Sequence, residues 1–597
     1  MRERLSTLGT MVRLSWRADA ARSVGALVMS SALSLTWAIW AVGIAWLTDG
    51  VVNGRRSEAL VGVTFIAGLA AAQHFCEWAN QVLRMRLREH TILHIDQRVM
   101  ALAAGLPTLE HHERADYQDR MDLLRRQRGS LVNPFMPLAW TVAGVVQFGT
   151  TTLLLARLSP LMLALPLAAI PSVWTATRAE TLWRRLRDAQ AEDERWLRHI
   201  FELATLPDAA KEVRLFGLAD ELARRHRTTF EAMEGRRTST SIRTGALRAA
   251  GWACFGVAYL AAVLLVVRRA VDGALSVGDV VLTLTLGAQI NGQLTGLVYN
   301  ASWISRTTQA VSHYRWLEQH AAATLAASAN ADPAPVPARV RDGLTLCGVG
   351  FTYPGTNEPV LSGVDLHLPA GSTVAVVGEN GAGKTTLVKL LLRFYDPTEG
   401  SVRLDGVDLR RFDVDAWRAC TSASFQDFAR LQLLARQSVG VGLLADLDRE
   451  ASVVAALARG GGGDLVAALP HALDTQLGRD FEGGVELSTG QWQKVALGRT
   501  MMRCNPLLLV LDEPTASLDA PTEHALFERF SQQARNVGQA TGAITVLVSH
   551  RFSTVRMADL IVVLEGGRVY EVGHHEALVA GRGRYAELYG LQARGYA

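Results

Sequence analysis

The spacing of apolar residues changes character near the middle of the chain. Up to about residue 305, six apolar runs recur, roughly at 24 to 47, 59 to 81, 134 to 156, 159 to 177, 246 to 267 and 278 to 303. Each is close to the ~20 residues that a bilayer-spanning helix needs, so the pattern predicts six membrane helices rather than the buried helices of a soluble bundle. Beyond that point, short apolar strands alternate with polar helical stretches, the pattern of an α/β domain. Charge orients the spans. The segments 84 to 133 and 178 to 243 carry many arginines, whereas the other loops offer only Arg55, Arg56, Arg157, Arg268 and Arg269. Both long loops and both termini are therefore expected to face the cytoplasm.

The long loops keep helical periodicity. "ETLWRRLRDAQAEDERWLRHIFELATL" (180 to 206) has apolar residues at helical spacing with charges between them, so the spanning helices should continue beyond the bilayer. Pro107 and Pro207 interrupt the two loops and predict a tip at each, over 106 to 121 and 206 to 222. Residues 1 to 18 carry no signal-peptide cleavage pattern and read as an amphipathic lead-in with Trp16 at the interface, consistent with direct insertion into a plasma membrane. "AAATLAASANADPAPVPARV" is poor in large apolar residues and bounds the soluble part. The expected organisation is a six-helix α-helical transmembrane domain over 1 to 320, a linker over 321 to 337, and an α/β P-loop NTPase domain over 338 to 597.

Composition bears on this picture in three respects. The net charge of +4 over 597 residues, without a basic stripe, gives no indication of nucleic-acid binding. The basic residues are almost all arginine, with lysine only at Lys211, Lys384, Lys389 and Lys494. One lysine lies in a glycine loop where a compact ammonium reaches phosphate differently from a planar guanidinium. The five scattered cysteines lack any C-x-x-C pattern, which argues against disulfides and structural zinc.

The soluble half carries the chemistry. "STVAVVG" reads as a buried strand, "GENGAGKTT" (378 to 386) fits G-x-x-x-x-G-K-[ST], and "KTTLVKLLLRFY" reads as the helix that follows. The expected site binds ATP through Gly378, Asn380, Gly381, Gly383, Lys384, Thr385 and Thr386. Backbone N–H groups cradle the β-phosphate, Lys384 reaches the β and γ oxygens, and Thr385 holds Mg²⁺. In "LLLVLDEPTASLD" five apolar residues lead to Asp512 at a strand end, where a carboxylate can hold Mg²⁺, and to Glu513, which can polarise a water. A third stretch, "GVELSTGQWQK" (484 to 494), puts Ser488, Thr489 and Gly490 before a helical run, a second phosphate site at a helix N-terminus.

Together these residues resemble the ABC transporters of the exporter type, here a half-transporter, over nearly the whole chain. The family motifs occur in order: Tyr353 in "FTYPG", the phosphate loop, Gln426 in "SASFQDF", the signature "LSTGQ", Asp512 with Glu513, "SLD" to Asp519, and His550 in "VSHRF". The resemblance implies that Tyr353 stacks on adenine, that Gln426 meets Mg²⁺ and the attacking water, and that His550 contacts the γ-phosphate. Glu513, His550 and Gln426 are thus the expected catalytic residues, with Thr385, Gln426 and Asp512 around the metal. A single triphosphate is already surrounded by residues 378 to 386, so Ser488, Gly490 and Gln491 are expected to meet the ATP of a second half-transporter, an identical chain being favoured over a different one. Thr489 replaces the family's usual glycine, which puts the strength of that composite site in question, and "QWQK" is similar to signatures of bacterial exporters of peptides and other secondary metabolites.

In the sixth run, Gln289, Gln293, Gly296, Asn300 and Trp303 fall on one helical face. Amides in a membrane helix need partners in protein or water, so this face predicts either helix packing or a hydrated path for a neutral or amphipathic solute. The expected activity is ATP-driven export across the plasma membrane. Import through a similar fold, and a membrane-anchored regulatory ATPase, are the alternatives.

Overall fold

The computed structural model describes residues 2–207, 209–328, 332–514, 528–529, 532, 534–535 and 537–595. The chain divides into two compact units, 1–102 with 121–318 and 103–120 with 319–597. Asp519 of the "SLD" motif lies outside the described residues.

The first unit is helical. Its long helices are α1 (Arg2–Val52), α2 (Arg56–Ala104), α3 (Met136–Leu158), α4 (Ile170–Thr205), α5 (Ala219–Val271) and α6 (Val277–Ser328). The lead-in is separated from the first span at Asp19, whose backbone leaves the helical region and whose carboxylate accepts the Arg22 N–H at 2.9 Å, restarting the helix by capping. Large apolar side chains face outward along the spans, among them Phe75 (66% exposed) and Trp78 (62%), as a lipid-facing surface requires. Five of the six expected spans meet the length and hydropathy of a membrane helix. The amides and threonines of α6 keep it below that hydropathy, although its helix is 52 residues long.

Beyond the apolar stretches, α4 and α5 continue as a pair, as the charged periodicity predicts. Gln190 donates to the Met233 carbonyl at 3.0 Å, and Arg236–Asp193 and Arg237–Glu194 pair at 2.9 and 2.8 Å. Gly251 allows the two backbones to approach. A Cβ there would lie 2.4 Å from Thr175 Oγ1 and 2.9 Å from Ser172 Cα.

The second unit holds two sheets. An antiparallel sheet has the order β2-β1-β4-β5, built from β1 (Gly343–Thr352), β2 (Pro359–Pro369), β4 (Glu399–Leu404) and β5 (Val407–Asp408). The other has the order β10-β9-β3-β8-β7-β6, from β3 (Thr373–Val377), β6 (Thr421–Ser424), β7 (Leu508–Asp512), β8 (Ile544–Val548), β9 (Leu560–Glu565) and β10 (Arg568–Gly573). Strands β9, β3, β8, β7 and β6 are parallel to their neighbours, and β10 closes the edge antiparallel. Strands β7 and β8 are buried at every position, the run of apolar residues that a parallel sheet covered on both faces demands.

Among the clusters of buried residues in this unit, two bear on the site. One joins the sheets to the helix Lys384–Leu391 through Leu346, Val376, Leu387, Leu391 and Val546. The other gathers Leu457, Leu477, Trp492, Val495 and Leu497 around the helix Thr489–Thr500.

The borders differ in detail from the expected ones. Helix α6 runs to Ser328, into the segment expected as a linker, because alanines favour helix until Pro333 approaches. Ala334, also in that segment, is already part of the second unit, its N–H donating to the Arg411 carbonyl at 2.8 Å. The first tip, 103–120, belongs with the second unit, where the Leu109 N–H donates to the Phe394 carbonyl at 3.3 Å and Arg418 donates to the Pro107 carbonyl. The second tip keeps Leu215 (78%) and Phe216 (67%) exposed.

Candidate functional site

The phosphate loop, Gln426, Asp512 with Glu513, and His550 all follow the C-terminal ends of four adjacent parallel strands, β3, β6, β7 and β8. The register sets these ends level: Val376 and Asp512 both pair with Val548, and Leu511 pairs with Ser424. This is the side of an open α/β sheet where ligands gather. The order β3-β8-β7-β6 brings together motifs that lie far apart along the chain.

The loop after β3 turns through Gly378, Gly381 and Gly383 into the helix Lys384–Leu391. Gly383 is required on two grounds, a φ of +99° and the 2.6 Å that would separate a Cβ from Leu361 Cδ2. Lys384 is buried, and its Nζ donates to the Gly378 and Glu379 carbonyls at 2.9 Å each. Burial lowers its pKa, partly offset by the charges of Glu513 and Asp512. Asn380 is exposed on the loop, and Thr386, buried beneath it, shares a 3.0 Å hydrogen bond with the Tyr353 hydroxyl.

Thr385 Oγ1 donates to Asp512 Oδ2 at 3.4 Å. The Asp512 carboxyl is only 2% exposed, and burial, then the neighbouring Glu513 charge, push its pKa up to about 6. A buried carboxyl so disfavoured as an anion is one that a cation would restore to its ionised form. The donor set of hydroxyl, carboxylate and the nearby Gln426 carboxamide is all oxygen, which suits Mg²⁺. Among the described residues no group of three His, Cys, Asp or Glu side chains could hold a metal alone, so such an ion would depend on phosphate and water for its remaining ligands.

Glu513 is the junction of the site. Gln426 Nε2 donates to its Oε2 at 2.8 Å, and His550 Nδ1 lies 3.2 Å from its Oε1. Its φ of +46° is uncommon for a side-chain-bearing residue, and its N–H is anchored to the Val548 carbonyl at 2.9 Å. Such strain persists only where the surroundings hold it. Here β7 and β8 do so, presenting a carboxylate between two polar partners, an arrangement able to orient and deprotonate water.

The signature forms on the other core. Ser488 caps the helix Thr489–Thr500 in a reciprocal box: its Oγ accepts the Gln491 N–H at 3.2 Å while Gln491 Oε1 accepts the Ser488 N–H at 2.9 Å. The Ser488 hydroxyl proton and the Gln491 amide protons are left to donate outward. Gly490 lies in the first turn between them. Thr489 is the first helical residue and is absent from the left-handed set, so threonine stands there without backbone strain. Of the departures after it, Trp492 is buried in the core and Lys494 pairs at 2.9 Å with the exposed Asp464.

In the first unit, Gln289, Gln293, Gly296 and Asn300 line one cavity of about 570 Å³. Trp303 packs edge-on against Trp140, another lining residue, with ring centres 5.2 Å apart. The first three helices add Ser30, Trp37, Asn80, Trp140 and Gln147, which the sixth run alone does not reveal. The available signal was Gln147, the single carboxamide of the third span; Asn80 shares the second span with Gln73 and Gln81 and does not stand out there.

Residues 361–516 match the family model described as ABC transporter. An ATP-dependent lipid A-core flippase of Thiobacillus denitrificans is 38% identical over 259 residues, 43% of this chain and 42% of that protein. A second ATP-dependent lipid A-core flippase, from Chromobacterium violaceum, is 30% identical over 550 residues, 89% of this chain and 87% of that one. Among solved structures, a bacterial Atm1-family ABC exporter with ATP bound superimposes with a TM-score of 0.76 at 26% identity, covering 96% of this chain and 98% of that one. With the site geometry, these likenesses establish that the chain belongs to the ABC transporter family, as an ATP-hydrolysing half-transporter of the exporter type.

Proposed function

We propose that two copies of this chain form an exporter in which ATP, bound at the phosphate loop of one copy and covered by Ser488, Gly490 and Gln491 of the other, drives a solute outward. The observation that supports this reading most is the separation of the two phosphate-directed elements onto two cores, one complete around Lys384 and one exposed at Ser488. Lys384 and the loop N–H groups orient the triphosphate, and Tyr353 stacks on adenine. Mg²⁺, where Thr385, Asp512 and Gln426 hold it, supplies charge neutralisation to the phosphates. Glu513 takes the proton of the attacking water, Gln426 and His550 fix the carboxylate, and His550 meets the γ-phosphate. The long loops, the soluble unit and the termini lie on the cytoplasmic side of a bacterial plasma membrane. Closure around two ATP molecules and reopening after hydrolysis provide the two states that transport needs.

The cargo is an uncharged amphipathic molecule able to hydrogen-bond. None of the residues that line the cavity is charged, and the Arg84 guanidinium stands over the Trp140 ring at 5.7 Å. Five carboxamides and two tryptophans form the wall, with Asn80 Oδ1 and Gln293 Oε1 buried and unpaired. Such acceptors favour ligands with N–H or O–H donors. The test uses the full chain in vesicles with the soluble unit outward and fluorescent probes of matched size. ATP-dependent uptake of a neutral peptide-like probe, with an acidic analogue excluded, supports the reading. Equal uptake of both, or ATP hydrolysis without uptake of any probe, contradicts it.

A further inference from the structure

We propose that Lys389 is a positioning residue that links the base platform of the ATP site to the first cytoplasmic tip. Lys389 lies five residues beyond Lys384 on the same helix and is one of only four lysines in an arginine-rich chain. Lys384 serves the loop and Lys494 pairs with Asp464, but the role of Lys389 becomes visible only in the fold. Its Nζ bonds Glu113 Oε1 on the tip at 2.7 Å and donates to the Tyr353 hydroxyl at 3.3 Å. The same ammonium stands over the rings of Tyr353 and Tyr395, 5.1 and 5.7 Å from their centres. The Tyr353 hydroxyl in turn meets Thr386 of the phosphate loop at 3.0 Å. The result is a continuous path of hydrogen bonds from the phosphate loop through Tyr353 and Lys389 to Glu113.

The tip has other anchors, the Leu109 side chain packed on the core and several backbone groups. The Leu109 N–H meets the Phe394 carbonyl, and Arg418 holds the Pro107 carbonyl and that of Arg393 while its guanidinium covers the Phe394 ring at 4.8 Å. Those contacts do not involve Tyr353. The Lys389 hydrogen bonds join a tip side chain directly to the ring on which a base would stack. A base that draws on that ring alters its attraction for the ammonium, and the ammonium's hold on Glu113 changes with it. An arginine would spread its charge over a plane, whereas a single ammonium reaches a carboxylate, a phenol and two ring faces from one point. Burial alone would lower the Lys389 pKa, but the Glu113 hydrogen bond and Tyr353 raise it overall, so the ammonium stays charged at neutral pH.

This inference rests on Tyr353 being the adenine platform, and the test separates the two. Full-length protein in lipid discs, free of native cysteines, carries a fluorophore at Asp119→Cys on the exposed side of the tip. Its response to a non-hydrolysable ATP analogue is measured together with kcat and the KM for ATP. Lys389→Met and Glu113→Gln should each reduce the saturated fluorophore response by about fivefold and raise KM, with kcat held within about twofold. The double variant should be no worse than either single one, as groups acting through one bond require. An unchanged response in Lys389→Met, or losses that add in the double variant, overturns the link. Normal ATP binding by Tyr353→Ala overturns the platform and with it the link, whereas a weakened Tyr353→Ala beside an unaffected Lys389→Met overturns the link alone.

Discussion

Glu513 shows how much of this site rests on single side chains held against their preference. A carboxylate in a left-handed backbone position is retained because β7 and β8 fix its N–H, and because Gln426 and His550 meet both of its oxygens. Glu513→Gln keeps the shape and the hydrogen-bonding capacity but removes the basicity. Hydrolysis should fall by about 10²- to 10⁴-fold while ATP binding persists, as phosphate release and nucleotide retention on the purified full chain would record. Near-normal turnover would remove Glu513 as the base. Gly383 is the complementary case. Its φ and the closeness of Leu361 Cδ2 leave no room for a side chain, so Gly383→Ala should deform the loop and weaken ATP binding, whereas Thr489→Gly should leave the signature turn intact because threonine already sits there unstrained. Equilibrium nucleotide binding by the two variants checks both statements.

At the scale of elements, the first tip combines anchoring with a buried titratable group. His111 is 3% exposed, and burial, followed by the neighbouring His112 and His320 charges, lowers its pKa to about 4 from the ordinary 6.5. A histidine that is harder to protonate in the folded state favours folding above its unfolded pKa. That contribution is lost as pH falls from about 6.5 toward 4. The tip should therefore become more susceptible to exchange and proteolysis across that window, and His111→Phe should flatten the dependence. A tip equally protected at pH 7 and pH 4.5 would contradict this. Helix α6 makes a different prediction. Single cysteines at 289, 293 and 300 in a cysteine-free chain should react with a membrane-impermeant thiol reagent in one nucleotide state and be protected in another, if the amide wall borders a hydrated path. Protection in every state would assign that wall to helix packing.

The elements also show what could be read in advance. The phosphate loop, the Asp512–Glu513 strand end and the capped signature helix were legible because each depends on a few consecutive residues and their local geometry. The strand order that brings Gln426 and His550 onto Glu513 was not, since pairing of β3, β8, β7 and β6 joins residues far apart in sequence. The cavity was half legible. One face of α6 shows its amides at helical spacing, but Asn80 and Gln147 become its partners only when four helices pack. Lys389 stood out as a rare lysine, yet its purpose needed Glu113, 276 residues away.

For the whole molecule, the proposed arrangement holds one ATP between two copies, the phosphate loop of one facing the signature of the other. The loop and the signature sit on separate cores of the soluble unit, and Ser488 and Thr489 are exposed. The most direct test mixes two full-length, cysteine-free variants in lipid discs, both carrying Glu513→Gln. One bears Asn380→Cys and the other Thr489→Cys. Mild oxidation with ATP and Mg²⁺ should give a disulfide-linked pair containing one of each variant, and omission of ATP should abolish it. Absence of the mixed pair in every nucleotide state, with both variants binding ATP normally, would contradict the composite site.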